Sequence, residues 1–174
     1  MTRRGLLVVI PLLLLFLLAA CDKRQQTPDA AASVDGAVGP VVLHASLQDT
    51  LSPAFLHALR LEKVEGLNVR YLSGREAHYF AYIADPDAVL RAVVHTAFSK
   101  HVAVADTVCR RIDHRALAML AQPLHATELA AGAFFWEADA AEFEVYECVR
   151  GPIRHTLLIS RATRNVLHRI EFSA

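Results

Sequence analysis

The sequence is poor in lysine and cysteine, and it lacks the short patterns that mark most catalytic and cofactor sites. No serine stands in G-x-S-x-G or opens S-x-x-K, so the best-marked serine nucleophiles are excluded. There is no H-x-H and no H-E-x-x-H, although nine histidines are spread along the chain. The seven glycines are dispersed, which disfavours a loop that cradles phosphate. No internal repeat of 20–50 residues is visible. Neither sign of charge dominates: 18 Lys and Arg stand against 18 Asp and Glu, which gives no general attraction to nucleic acid. From these absences no cofactor, no catalytic residue and no metal ligand is assigned.

What is present begins at the amino terminus. Arg3 and Arg4 are followed by Leu6–Leu18, a run of 13 residues in which only Pro11 is not Leu, Val, Ile or Phe. Leu18-Ala19-Ala20-Cys21 closes the run, and the polar Asp22, Lys23, Arg24, Gln25 and Gln26 follow. A membrane-spanning helix needs about 20 apolar residues, whereas about 10–14 suits the core of an export signal. An ordinary secretory signal would be cut near Ala19-Ala20, but the bulky Leu18 fits that pattern less well.

Leu18-Ala19-Ala20-Cys21 resembles the lipobox of bacterial lipoproteins. The resemblance covers residues 1–21 and implies a signal peptide over 1–20, cleavage before Cys21, and a diacylglyceryl group on the Cys21 thiol. Acylation of the new amino terminus usually follows. Each buried CH₂ adds about 0.8 kcal/mol, so two or three chains hold a protein durably to the lipid bilayer. The expected place is the bacterial cell envelope, facing the periplasm. In enteric bacteria an Asp after the anchor resembles the inner-membrane retention signal, so Asp22 favours the inner over the outer membrane. Without Arg3 and Arg4 the mature chain carries 16 basic and 18 acidic residues.

Residues 21–40 read as the lipidated cysteine and a flexible tether, rich in Gln, Ala, Ser, Gly and Pro. Residues 41–174 then read as one globular α+β domain. Val41-Val42-Leu43 suggests a strand. Ser52-Pro53 and Asp85-Pro86 open helices, the second carrying Val89, Leu90, Val93, Ala97 and Phe98 on one face. Residues 67–83 alternate as a hairpin around Ser73-Gly74. A strand is expected at Val102–Ala105, a helix from Asp113 to Pro123, and a turn of helix over Thr127–Ala131. Four strand-like segments end the chain: Phe134–Trp136, Phe143–Val149, His155–Arg161 and Val166–Phe172. Their spacing predicts an antiparallel meander.

With Cys21 taken by lipid, Cys109 and Cys148 remain as an even pair in an exported protein and are expected to form a disulfide. If they did not, Cys109, His114 and Cys148 would be the nearest metal-binding cluster. Glu137, Asp139, Glu142, Glu144 and Glu147 form an acidic run, and Arg150, Arg154, Arg161, Arg164 and Arg169 a basic one. Opposite charges on adjacent strands neutralise each other across a sheet face. These features point to a non-enzymatic binding or interaction domain with a protein partner in the envelope. It would be an accessory to secretion or envelope assembly, or an inhibitor or immunity protein. The alternative is a cell-wall hydrolase using Glu142 or Glu144 with a histidine.

Replacing Cys21 with Ala should abolish incorporation of radiolabelled palmitate and leave the chain unprocessed or released from the membrane. Unchanged labelling and attachment would contradict the lipoprotein resemblance.

Overall fold

Ser52, Asp85 and Asp113 each stand one residue before a helix and accept a backbone N–H from it. The donors are Phe55, Ala88 and Ala116, at 3.2, 2.8 and 2.7 Å. Proline follows directly at Pro53 and Pro86, where a missing N–H costs nothing. The computed structural model describes residues 39–96 and 107–172. The leader, Cys21 and the tether as far as residue 38 lie outside the described residues. So do the expected strand Val102–Ala105 and the helix-face residues Ala97 and Phe98.

Seven strands form one antiparallel sheet in the order β1-β2-β3-β7-β6-β5-β4. They are β1 (Val41–Ser46), β2 (Glu65–Arg70), β3 (Glu76–Ile83), β4 (Val108–Ile112), β5 (Glu144–Arg150), β6 (Ile153–Ile159) and β7 (Asn165–Phe172). The helices are α1 (Leu47–Thr50), α2 (Pro53–Leu59), α3 (Pro86–His95), α4 (His114–Ala121), α5 (Ala126–Ala131) and α6 (Ala133–Trp136). The architecture is α+β, as expected, and β5, β6 and β7 form the meander. β7 also pairs with β3 from Glu76↔Phe172 to Ile83↔Asn165, which joins the meander to the amino-terminal hairpin.

The β5–β6 turn is Gly151-Pro152, with Arg150 opposite Ile153. Gly151 adopts φ +55, followed by proline's fixed negative φ, the pattern of a two-residue II′ hairpin. At Gly66 in β2 the constraint is space. A Cβ there would sit 2.2 Å from the Tyr79 carbonyl oxygen and 2.4 Å from the Phe80 ring, so only glycine fits.

Both faces of the sheet are covered. Leu51 and α1, α2 and α3 close one face through Leu47, Phe55, Leu56, Leu59, Val89 and Val93, over Phe80, Leu157, Ile159, Val166 and Ile170. On the other face Leu117 of α4 and Phe135 of α6 pack over Val69, Tyr71, Tyr79, Val145 and Leu158.

One local reading is corrected, and one strand was not read. Phe134-Phe135-Trp136 is not a strand but the helical turn α6. Three consecutive aromatics carry no period. The turn buries Phe135 edge-on against Tyr79 at 5.8 Å and leaves Phe134 partly exposed. Gly132 permits this approach, since a Cβ there would meet Tyr79 at 2.8 Å. The strand β4 is not marked by its own residues, because Arg110 and Arg111 interrupt its apolar pattern; pairing with β5 defines it.

Candidate functional site

Cys109 and Cys148 are direct partners across β4 and β5 and form a disulfide, with Cα atoms 4.1 Å apart. That removes the Cys109–His114–Cys148 metal cluster. The acidic and basic runs meet in part as expected. Glu144 accepts from Arg161 Nε at 2.8 Å and from Tyr146 Oη at 2.9 Å, and lies 3.2 Å from Arg111. Glu147 pairs with Arg110 at 2.6 Å and Arg154 at 3.6 Å.

Arg150 and Arg169 depart from that pattern. Arg150 is buried and donates to the carbonyls of Val93, Val94 and Thr96 at 3.2, 2.8 and 2.8 Å, and also to Thr107. These carbonyls end α3 and have no partner within the helix, so a cation from β5 caps it. Arg169 instead meets Glu128 at 2.9 Å and Glu171 at 2.8 Å. Glu128 is wholly buried on α5. It also accepts from Tyr71 at 2.5 Å and Tyr79 at 2.6 Å, with Arg75 3.3 Å away. Burial, with the Glu128 hydrogen bond, pushes the Tyr71 hydroxyl up to about 12, so it remains a donor.

The larger concavity is an open groove of about 750 Å³, where β1, β2 and β3 meet α1 and the Gly151-Pro152 turn. Asn68, Arg70, Glu76, His78, Thr50 and Phe172 line it. His78 Nδ1 lies 3.3 Å from Thr50 Oγ1, and Nε2 lies 3.5 Å from Glu76, which is itself 2.7 Å from Arg70. The carboxylate beside Nε2 favours the tautomer with its proton on Nε2, so the Thr50 hydroxyl has one proton to share between His78 Nδ1 and the Ser46 carbonyl, 3.1 Å away. Burial lowers the His78 pKa, against the opposing pull of Glu76. Asn68, only 7% exposed, has an Oδ1 with no hydrogen-bond partner among the described residues.

A smaller cleft of about 430 Å³ brings Glu144 and His114 to one surface, beside Arg111, Asp113 and Phe143. His114 Nε2 lies 3.1 Å from the Phe143 carbonyl, to which it can donate. The Arg161 hydrogen bond, aided by Tyr146 and Arg111, holds Glu144 below the usual carboxylate range. A proton-donating carboxyl needs the opposite shift. Glu142 is exposed in the turn before β5.

No protein-family model, curated protein or solved structure matches this chain. The geometry offers a groove equipped to exchange hydrogen bonds, and a small cleft whose carboxylate is occupied by cations. Sequence reasoning did not single out Asn68, His78 or Glu128. Asn68 and His78 fall on the polar half of an alternating hairpin, which ordinarily faces water.

Inside the sheet, His155 and His168 are fully buried. Their ring nitrogens are 3.0 Å apart, and Tyr82 lies 3.0 Å from the other nitrogen of His168. Burial lowers His168 to about 3. Burial, then the neighbouring His168 and Arg150, lower His155 as well. The unfolded chain binds protons below about 6.5 that the folded chain refuses, so stability is present above that value and is lost as pH falls. Each histidine contributes a slope of up to about 1.4 kcal/mol per pH unit. Denaturant unfolding from pH 7.5 to 5 should show a steady loss of stability below pH 6.5, before carboxylates titrate. A flat or rising profile would contradict the buried neutral pair.

Proposed function

We propose that the chain is a lipid-anchored envelope protein whose domain binds a protein partner through the β1–β2–β3 groove without altering it covalently. The lipobox resemblance supplies the anchor on Cys21 and the periplasmic face, with Asp22 favouring the inner membrane. One observation carries the binding role: Asn68 stands in the groove wall almost wholly buried, with an oxygen that bonds nothing among the described residues. An unsatisfied buried polar atom costs about 1–3 kcal/mol, and such groups persist where function needs them. A partner that presents an N–H or O–H donor to the groove would satisfy it. An accessory of secretion or envelope assembly, or an inhibitor or immunity protein, fits this description.

The cell-wall hydrolase is the second reading, favoured by the cleft that holds Glu144 with His114. The arginines on Glu144 weigh against it.

Complementation of a deletion strain separates the two. Asn68→Val should raise the thermal midpoint, because the unsatisfied oxygen is gone, yet fail to complement. Glu144→Gln should complement normally and shift the midpoint by less than about 3 °C. A folded Asn68→Val variant that complements fully would sink the binding reading. Loss of complementation by folded Glu144→Gln would favour the hydrolase.

A further inference from the structure

The two edges of the sheet are finished differently. At one edge, β4 carries the exposed side chains of Arg110 and Arg111 and is clipped to β5 by the Cys109–Cys148 disulfide. Charged side chains on an edge strand discourage another strand from adding. At the other edge, β1 (Val-Val-Leu-His-Ala-Ser) carries no carboxylate, lysine or arginine. Val41, Val42 and Leu43 are 56%, 37% and 43% exposed, a consecutive run on both faces of the strand. Nothing pairs with the outer side of β1 among the described residues. A bare, apolar, six-residue edge is a template for strand addition.

We infer that β1 pairs antiparallel with β1 of a second copy, across a two-fold axis perpendicular to the sheet at Leu43. This rests on the free edge of β1, whose His44, Ala45 and Ser46 also line the groove, and not on the unsatisfied oxygen of Asn68. Four features favour a second copy as the occupant. The strand has no Lys, Arg, Asp or Glu, so self-pairing sets no fixed like charges opposite each other. The mature chain carries 16 basic and 18 acidic residues, so two copies do not repel strongly. The strand also runs from large to small. A two-fold at Leu43 sets Val41 opposite Ala45 and Val42 opposite His44, a bulky residue against a smaller or polar one. Finally, an axis perpendicular to the sheet keeps facing residues on the same side, so the two sheets continue as one and each free edge closes the other.

The residue on the axis makes the register testable. Opposed residues in an antiparallel pair have Cα atoms about 4.5–5.5 Å apart, within the span of a disulfide. In the full chain in its own membranes, Leu43→Cys treated with a mild oxidant should give a species of twice the mass that reductant dissolves. Met119→Cys, more exposed but on α4, should give no cross-linked species, and neither should the parent chain. Adding Val42→Lys to Leu43→Cys should reduce the cross-linked fraction several-fold, because a cation is placed at the free edge. Monomeric Leu43→Cys under oxidant would overturn the inference. So would an adduct of another mass, which would assign the edge to a different protein. Both results would leave the Asn68 test untouched.

Discussion

The carboxylate of Glu128 is the interaction on which the rest of this structure depends. Tyr79 on β3 and Arg169 on β7 are register partners at the seam between the amino-terminal hairpin and the carboxy-terminal meander, and Arg169 Nε donates to the Tyr79 hydroxyl at 2.9 Å. Glu128 bonds both residues, so a six-residue helix too short to be stable alone is pinned where the two halves of the sheet join. Trp136 Nε1 donates to the same Tyr79 hydroxyl at 3.1 Å, which fixes α6 beside it. Buried charge is costly unless every group has a partner. Here the partners arrive from β3, β7, the β2–β3 turn and α5 at once.

The charges continue across the same face. Glu171 lies between Arg169 and Arg75. Burial would raise its pKa, but these two cations, with Arg154, hold it below the usual carboxylate range. Arg154 also meets Glu147, and Glu147 meets Arg110 on the edge strand. Opposite charges thus alternate from the seam to the β4 edge, which fixes the register of strands whose apolar alternation alone would permit slippage. On the other face His155, His168 and Tyr82 exchange hydrogen bonds without charge, and the buried cation Arg150 caps α3 beside them. The groove lies at the end of that face, beside α1.

Much of the fold was legible in the sequence, because caps, turns and apolar periods are local. Ser52-Pro53, Asp85-Pro86 and Asp113 announced helices, while Ser73-Gly74 and Gly151-Pro152 announced hairpins. The α+β class and the Cys109–Cys148 pairing followed. What local reasoning could not reach were consequences of covering both faces of the sheet. Alternation in β2 and β3 suggested a wet face for Asn68 and His78, yet α1 and neighbouring elements bury both. Arg150 and Arg169 looked like surface cations in a charge run. Their places, at the end of α3 and on Glu128, depend on elements more than 40 residues away in sequence. The strand β4 and the turn α6 likewise exist only through what they pack against.

If the Glu128 carboxylate holds the seam, then the stability of Glu128→Gln is the most direct measurement of the account. Denaturant unfolding should show a loss of about 3–5 kcal/mol, as expected when one member of a buried charged cluster is neutralised and the others remain. The denaturant slope should be unchanged, because the surface exposed on unfolding is the same. A variant within about 1 kcal/mol of the parent would show that the two halves of the sheet are held together by apolar packing alone, with Glu128 a passenger on α5.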